Sequence, residues 1–172
     1  MKKIIPLLVV ITFIACNTEK AREKVEEFRL EKQKTTINSV LDAWHKAAAD
    51  ADFDAYFSKM TDDAIFIGTD ATENWQNKEF KEFSKPYFDK GKAWSFTALE
   101  RNIFISAYGD IAWFDEMLDT QMELCRGSGV LKKEGDTWKI SHYVLSIAIP
   151  NDNVKEIVKL KKENDSIVKS QL

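Results

Sequence analysis

From Trp94 to Ile149 the sequence alternates strand-like runs with short turns, and nothing else in the chain limits the fold as much. Trp94 to Ala107 is one long run whose apolar phase changes partway, as a bend or bulge would make it. Gly109-Asp110 suits a two-residue hairpin turn, and "IAWFDEML" follows it. "ELCRGSGVL" and "TWKISHYVLSIAI" flank a turn around Glu134, Gly135 and Asp136. Strands joined by turns this short run antiparallel.

The stretch before Trp94 is mostly helical. "TTINSVLDAWHKAAADAD" places Ile37, Val40, Leu41, Trp44 and Ala48 at steps of three and four, the pattern of a helix facing a core. Thr35 or Thr36 is the expected cap, and His45, beside Trp44, is expected to face solvent. "FDAYFSKM" reads as a short second helix with Phe53, Tyr56 and Phe57 on its apolar side. Ala64 to Asp70 reads as a strand ending at Gly68. In "NKEFKEFSKPYF" Asn77 is the expected N-cap, Phe80, Phe83 and Tyr87 face inward, and Pro86 disturbs the last turn. Helices first and antiparallel strands last give an α+β class. With 12% aromatic residues the domain has the material for both a core and an aromatic ligand pocket.

The ends of the chain have a different character. Lys2 and Lys3 precede an apolar run of twelve residues, Ile4 to Ala15, too short to cross a bilayer and shaped like an export signal. Residues 1–15 are therefore expected to be a signal peptide. "FIAC" resembles a bacterial lipobox, which implies cleavage before Cys16, lipidation of Cys16, and a protein anchored to a membrane of the bacterial cell envelope. Residues 16–34 are expected to be the lipidated cysteine and a charged tether, residues 35–152 the domain, and residues 153–172 a charged C-terminal helix. Cys125, the other cysteine, is expected to be a buried small apolar residue. Loss of residues 1–15 removes two lysines and moves the formal charge from −3 to −5. That balance argues against a nucleic-acid partner. No zinc spacing, nucleophile elbow or phosphate-binding glycine loop is present, so no metal or cofactor is expected.

"DDAIFIGTDATENWQNKEF", "YGDIAWFDEML" and "RGSGVLKKEGDTWKISHYVLS" together resemble the SnoaL-like branch of the nuclear transport factor 2-like, or ketosteroid-isomerase-like, superfamily. The resemblance covers about Thr36 to Asp152. It implies a cone-shaped fold, with a curved antiparallel sheet wrapped around the N-terminal helices, a cavity open at one end, and homodimers packed through the sheets. The superfamily contains enzymes, binding proteins and assembly modules, so the resemblance does not fix an activity. In two places the chain departs from the family pattern: Val144 stands where a second histidine is common, and Asn77 where glycine is usual.

The candidate site follows from strand alternation. Trp138, Ile140, His142, Val144 and Ser146 would share one face, which turns His142 inward, and Arg126 would lie within a residue or two of it across the hairpin. Arg126 would offer a forked donor to an anionic or carbonyl group; the bland alternative pairs it with an acid on the outer face. "AWFDEML" carries one carboxylate on each face. Asp115 inside an aromatic cavity would suit proton transfer, whereas Asp115 in solvent would not. Trp44, Tyr56, Phe57, Trp75, Trp94 and Trp113 are the candidate ligand-binding aromatics, each of them also a natural core residue. Glu73 is expected to brace its loop. The leading expectation is a membrane-anchored protein that binds a small apolar or aromatic molecule. The alternatives are an acid–base enzyme (isomerase, dehydratase or hydrolase) using Asp115 and His142, and a dimerisation module without ligand.

Overall fold

A computed structural model describes the backbone of residues 5–172 and the side chains from residue 19 onward. Cys16 therefore lies outside the described side chains. The chain divides into two compact units, Met1–Thr36 and Ile37–Leu172. Helix α1 runs through Ile5–Ala49. In the first unit its described side chains are mostly exposed and paired one turn apart, as in Glu26–Arg29 and Glu31–Lys34. Thr35 and Thr36 do not cap a helix there; their hydroxyls donate to the carbonyls of Glu31 and Lys32 within it.

In the second unit, α2 (Phe53–Ser58) starts at Asp52, whose carboxylate accepts from the Ala55 amide. Strand β1 (Met60–Ile67), β2 (Asn74–Gln76) and α3 (Asn77–Asp89) follow. Then come β3 (Phe96–Ile105), β4 (Ile111–Thr120), β5 (Glu123–Glu134), β6 (Thr137–Ile147) and α4 (Val154–Lys169). Gln76, not Asn77, caps α3, its amide N–H donating to Glu79. Asn77 instead enters the core, where Nδ2 donates to the Thr61 carbonyl at 2.6 Å and ties α3 to β1. On α3 only Phe80 of the three expected aromatics is buried; Phe83 and Tyr87 are exposed, and Ser84 and Phe88 complete the inner face.

The six strands form one sheet in the order β2-β1-β6-β5-β4-β3. This corrects the expected cone. The sheet is open, with β2 and β3 as its edges, and is neither closed nor curled around the helices. It is also mixed, because β1 runs parallel to β6. The physical reason is one of connectivity. Short turns fix the direction of β3 to β6 against one another, but no turn links β1 to β6, so helix packing sets their direction. The long run before Gly109 does shift register at Leu99, between the Ala98 and Glu100 pairs.

Ser141 has the larger effect. Val130 pairs with His142 while the next residue, Leu131, pairs with Ile140, so Ser141 is a bulge. Its hydroxyl donates to the Val130 carbonyl. Before the bulge Trp138 and Ile140 are buried; after it Tyr143 and Leu145 are. His142, Val144 and Ser146 therefore point away from the core, not into it.

The core lies between the sheet's inner face and the helices. Ile37, Leu41, Trp44 and Ala48 of α1 are completely buried. Trp44 stacks on Tyr56 and meets the Tyr143 ring edge-on at 4.8 Å. No residue of α4 is buried. Among the described residues, no helix is long and apolar enough to cross a membrane.

Candidate functional site

The β1–β2 connection builds one wall of a pocket. Gly68 N–H donates to the Glu73 carbonyl and Glu73 N–H to that of Asp70, closing a tight loop. The Glu73 carboxylate turns back into the loop, where Oε2 accepts from the Asp70 amide at 3.1 Å. It sits so close to Gly68 that a Cβ there would collide with it. Beyond this wall is a half-open pocket of about 170 Å³. Phe66, Trp75, Phe80, Phe83, Trp94 and Phe96 line it, with Leu145 beneath and Met122 at the rim. The rings brace one another: Trp75 stacks on Phe83 at 4.5 Å and Phe80 on Phe66 at 4.1 Å. Thr69, Glu73 and Gln121 are its polar groups.

A second cluster lies inside the core. Glu116 on β4 is 0% exposed at its side chain and gathers three other side chains. His45 Nε2 is 2.8 Å from Oε1, and the Tyr143 hydroxyl donates to the same oxygen at 3.0 Å. Arg101 Nε donates to Oε2 at 2.8 Å, with Nη2 equally near. Arg101 also reaches Asp42 and Asn38 on α1. Burial alone would push the Glu116 carboxyl up, but the hydrogen bond and charge of His45, then those of Arg101, outweigh it and hold the carboxyl below its ordinary value. Burial, reinforced by the adjacent Glu116, pushes the Tyr143 hydroxyl well above its ordinary value. The cluster ties α1 to β3, β4 and β6, and none of its four side chains lines the aromatic pocket.

The sequence-derived candidates divide among three places. Trp75 and Trp94 line the pocket. Trp44, Tyr56 and Phe57 are core residues behind it; the Trp44 Nε1 and Tyr56 hydroxyl are buried without a hydrogen-bond partner among the described residues. Asp115, Arg126, His142 and Trp113 all lie on the outer face of the sheet. Asp115 is exposed and accepts from Asn102. Arg126 is exposed and pairs across the ladder with Ser146, four positions from His142. Asp115 and Arg126 border a second depression with Glu100 and Met117, but no hydrogen bond or ion pair joins any two of Asp115, Arg126 and His142. Trp113 stacks on Phe104 at 5.8 Å, both about half exposed. Cys125 is a buried free thiol. Among the described residues no group of three or more His, Cys, Asp or Glu could hold a metal ion.

Two residues escaped the sequence reading. His45 is 4% exposed, not solvent-facing. It lies four residues after Leu41 and three before Ala48, so the helical stripe already included it. Glu116 shares a face with Ala112, Phe114 and Leu118, an alternation that marks it as the inward carboxylate of β4.

Residues 37–150 match the model of the SnoaL-like domain. The chain belongs to the SnoaL-like family. Solved structures agree at the level of fold. An NTF2-like protein from Cytophaga hutchinsonii is 18% identical, with a TM-score of 0.57 over 67% of this chain and 98% of that one. The association domain of C. elegans CaMKII is 22% identical, with a TM-score of 0.56 over 67% and 96%. An NTF2-like protein of unknown function from Pseudomonas putida is 13% identical, with a TM-score of 0.57 over 69% and 89%. No match is found among curated proteins. In this SnoaL-like chain the aromatic pocket and the buried Glu116 cluster are the two features that distinguish the inner face of the sheet from an ordinary apolar core.

Proposed function

We propose that this SnoaL-like domain binds a small molecule built around a single ring, or an apolar body of similar size, in the pocket under α3. The observation that carries the reading is a half-open space of about 170 Å³ with six aromatic side chains on its wall. A dry apolar cavity of about 150 Å³ is enough to hold benzene. No proton transfer is assigned, because Asp115 and His142 sit on the opposite face of the sheet, joined to one another by no hydrogen bond.

Trp75 and Trp94 supply the readout. Single-ring compounds such as benzyl alcohol are expected to change tryptophan emission saturably and to raise the melting temperature, since a ligand that binds only the folded state stabilises it. Met122→Trp, which puts bulk into the pocket from its partly buried rim, is expected to abolish both responses with the fold retained. A broad panel giving no response in the wild type would refute the reading.

The setting we propose is a membrane surface. The lipobox-like "FIAC" supports an anchor at Cys16, and the half-exposed Phe104–Trp113 stack supports pairing of two copies through their outer sheet faces. Cys16→Ser is expected to move the protein from the membrane fraction to the soluble one, where it should sediment as a dimer. Unchanged fractionation would sink the anchor, and a monomer would sink the pairing.

A further inference from the structure

We infer that the aromatic pocket selects a small organic cation, a quaternary or protonated amine, over neutral and anionic molecules of the same shape. The inference rests on the reading that the pocket binds a ligand, and adds the charge of that ligand.

The charge inventory of the wall carries it. Among the described residues Glu73 is the one charged residue on the pocket, and no Lys, Arg or His lines it. One oxygen of Glu73 is held by the Asp70 amide, which fixes the direction of the carboxylate, and Oε1 accepts no hydrogen bond among the described residues. Gly68 lets the carboxylate lie flush with the wall. Around it stand six aromatic rings, whose faces are electron-rich. A cation within about 6 Å of a ring centroid is attracted, most strongly by tryptophan. Trp75, Phe83 and Trp94 are the pocket aromatics that remain partly open to solvent, so a ligand meets tryptophan at the entrance. An anion would meet Glu73 with no positive partner on the wall among the described residues. A neutral molecule keeps only the apolar contact.

Lys161 of α4 borders an adjoining cavity that Glu73 also lines, but it is paired with Asp165 at 3.4 Å, and among the described residues no ion pair joins it to Glu73. Lys81 and Lys85 of α3 lie over Phe57 and Phe53, neither of which lines the pocket. The pocket's volume suits a trimethylammonium group with a short tail.

The test compares choline with 3,3-dimethylbutan-1-ol, its uncharged isostere, by tryptophan emission on the full chain at fixed ionic strength, with benzyl alcohol and benzoate alongside. Choline is expected to bind at least about tenfold more tightly than the isostere, and benzoate not at all. Glu73→Gln, which keeps an acceptor for the Asp70 amide, is expected to bring the two to within about threefold. Equal or tighter binding of the uncharged isostere would overturn the inference and leave the pocket reading standing. If neither choline, the isostere nor benzyl alcohol binds, both fail.

Discussion

Replacing Glu116 with alanine is expected to cost about 3 kcal/mol of folding stability, near the lower end for breaking a buried ion pair. The reason is what the carboxylate leaves behind. His45 and the Tyr143 hydroxyl lose their acceptor inside the core, where both are buried. Arg101 is spared the full penalty because Asp42 and Asn38 still bind it. Urea unfolding followed by tryptophan emission measures the loss directly, and a melting temperature lower by about 10 °C should accompany it. A loss under about 1 kcal/mol would mean that the cluster is not a structural tie.

The same residue sets a pH signature. The Glu116 carboxyl lies below its ordinary value in the folded state, so the unfolded chain binds its proton first as the medium is acidified. Its contribution is therefore present above the unfolded value of about 4.3 and is lost as pH falls through the folded one. The alanine variant should lack that component of the acid limb. At the other end, Tyr143 is raised, so its contribution is complete below about pH 10 and is lost above it, as the unfolded tyrosine ionises.

Gly129→Ala is expected to cost about 3 kcal/mol as well, the upper part of the range for overpacking a core. Gly129 faces inward between Phe114 and Tyr143 on the flanking strands. An added Cβ would stand 2.5 Å from the His142 carbonyl oxygen and 2.8 Å from the Phe114 ring. The carbonyl is part of the sheet backbone and cannot rotate aside, so the whole strand must shift. Gly135→Ala provides the contrast. It has φ of +60° in the β5–β6 turn and open space around it, so only backbone strain of about 1–2 kcal/mol opposes the substitution. Equal losses for the two variants in urea unfolding would refute the packing argument.

The strands and the class of the fold were legible because they rest on local signals: alternation, Gly135-Asp136 between two runs, and the apolar stripe of α1. What local signals cannot carry is direction and phase. The parallel pairing of β1 with β6 joins segments about eighty residues apart, and no turn between them announces it. Which carboxylate of β4 points inward was ambiguous because Trp113 and Met117 give the outer face an apolar look, so the alternation has no clean polar side. The pocket was half legible. Trp75 and Trp94 stood out as aromatics, but Phe66, Phe83 and Phe96 join them only through the sheet and α3.

The bulge at Ser141 divides β6 into two readers of the same core. On one side of it the even-numbered residues look inward, on the other the odd-numbered ones. Tyr143 reaches Glu116, and Leu145 reaches the floor of the aromatic pocket, only because one surplus residue has turned the strand over. A histidine two residues nearer the start of the strand, at position 140, would face the core. Where it stands, His142 belongs to the opposite surface, so the residue that drew attention in the sequence and the aromatic pocket occupy two sides of a single layer.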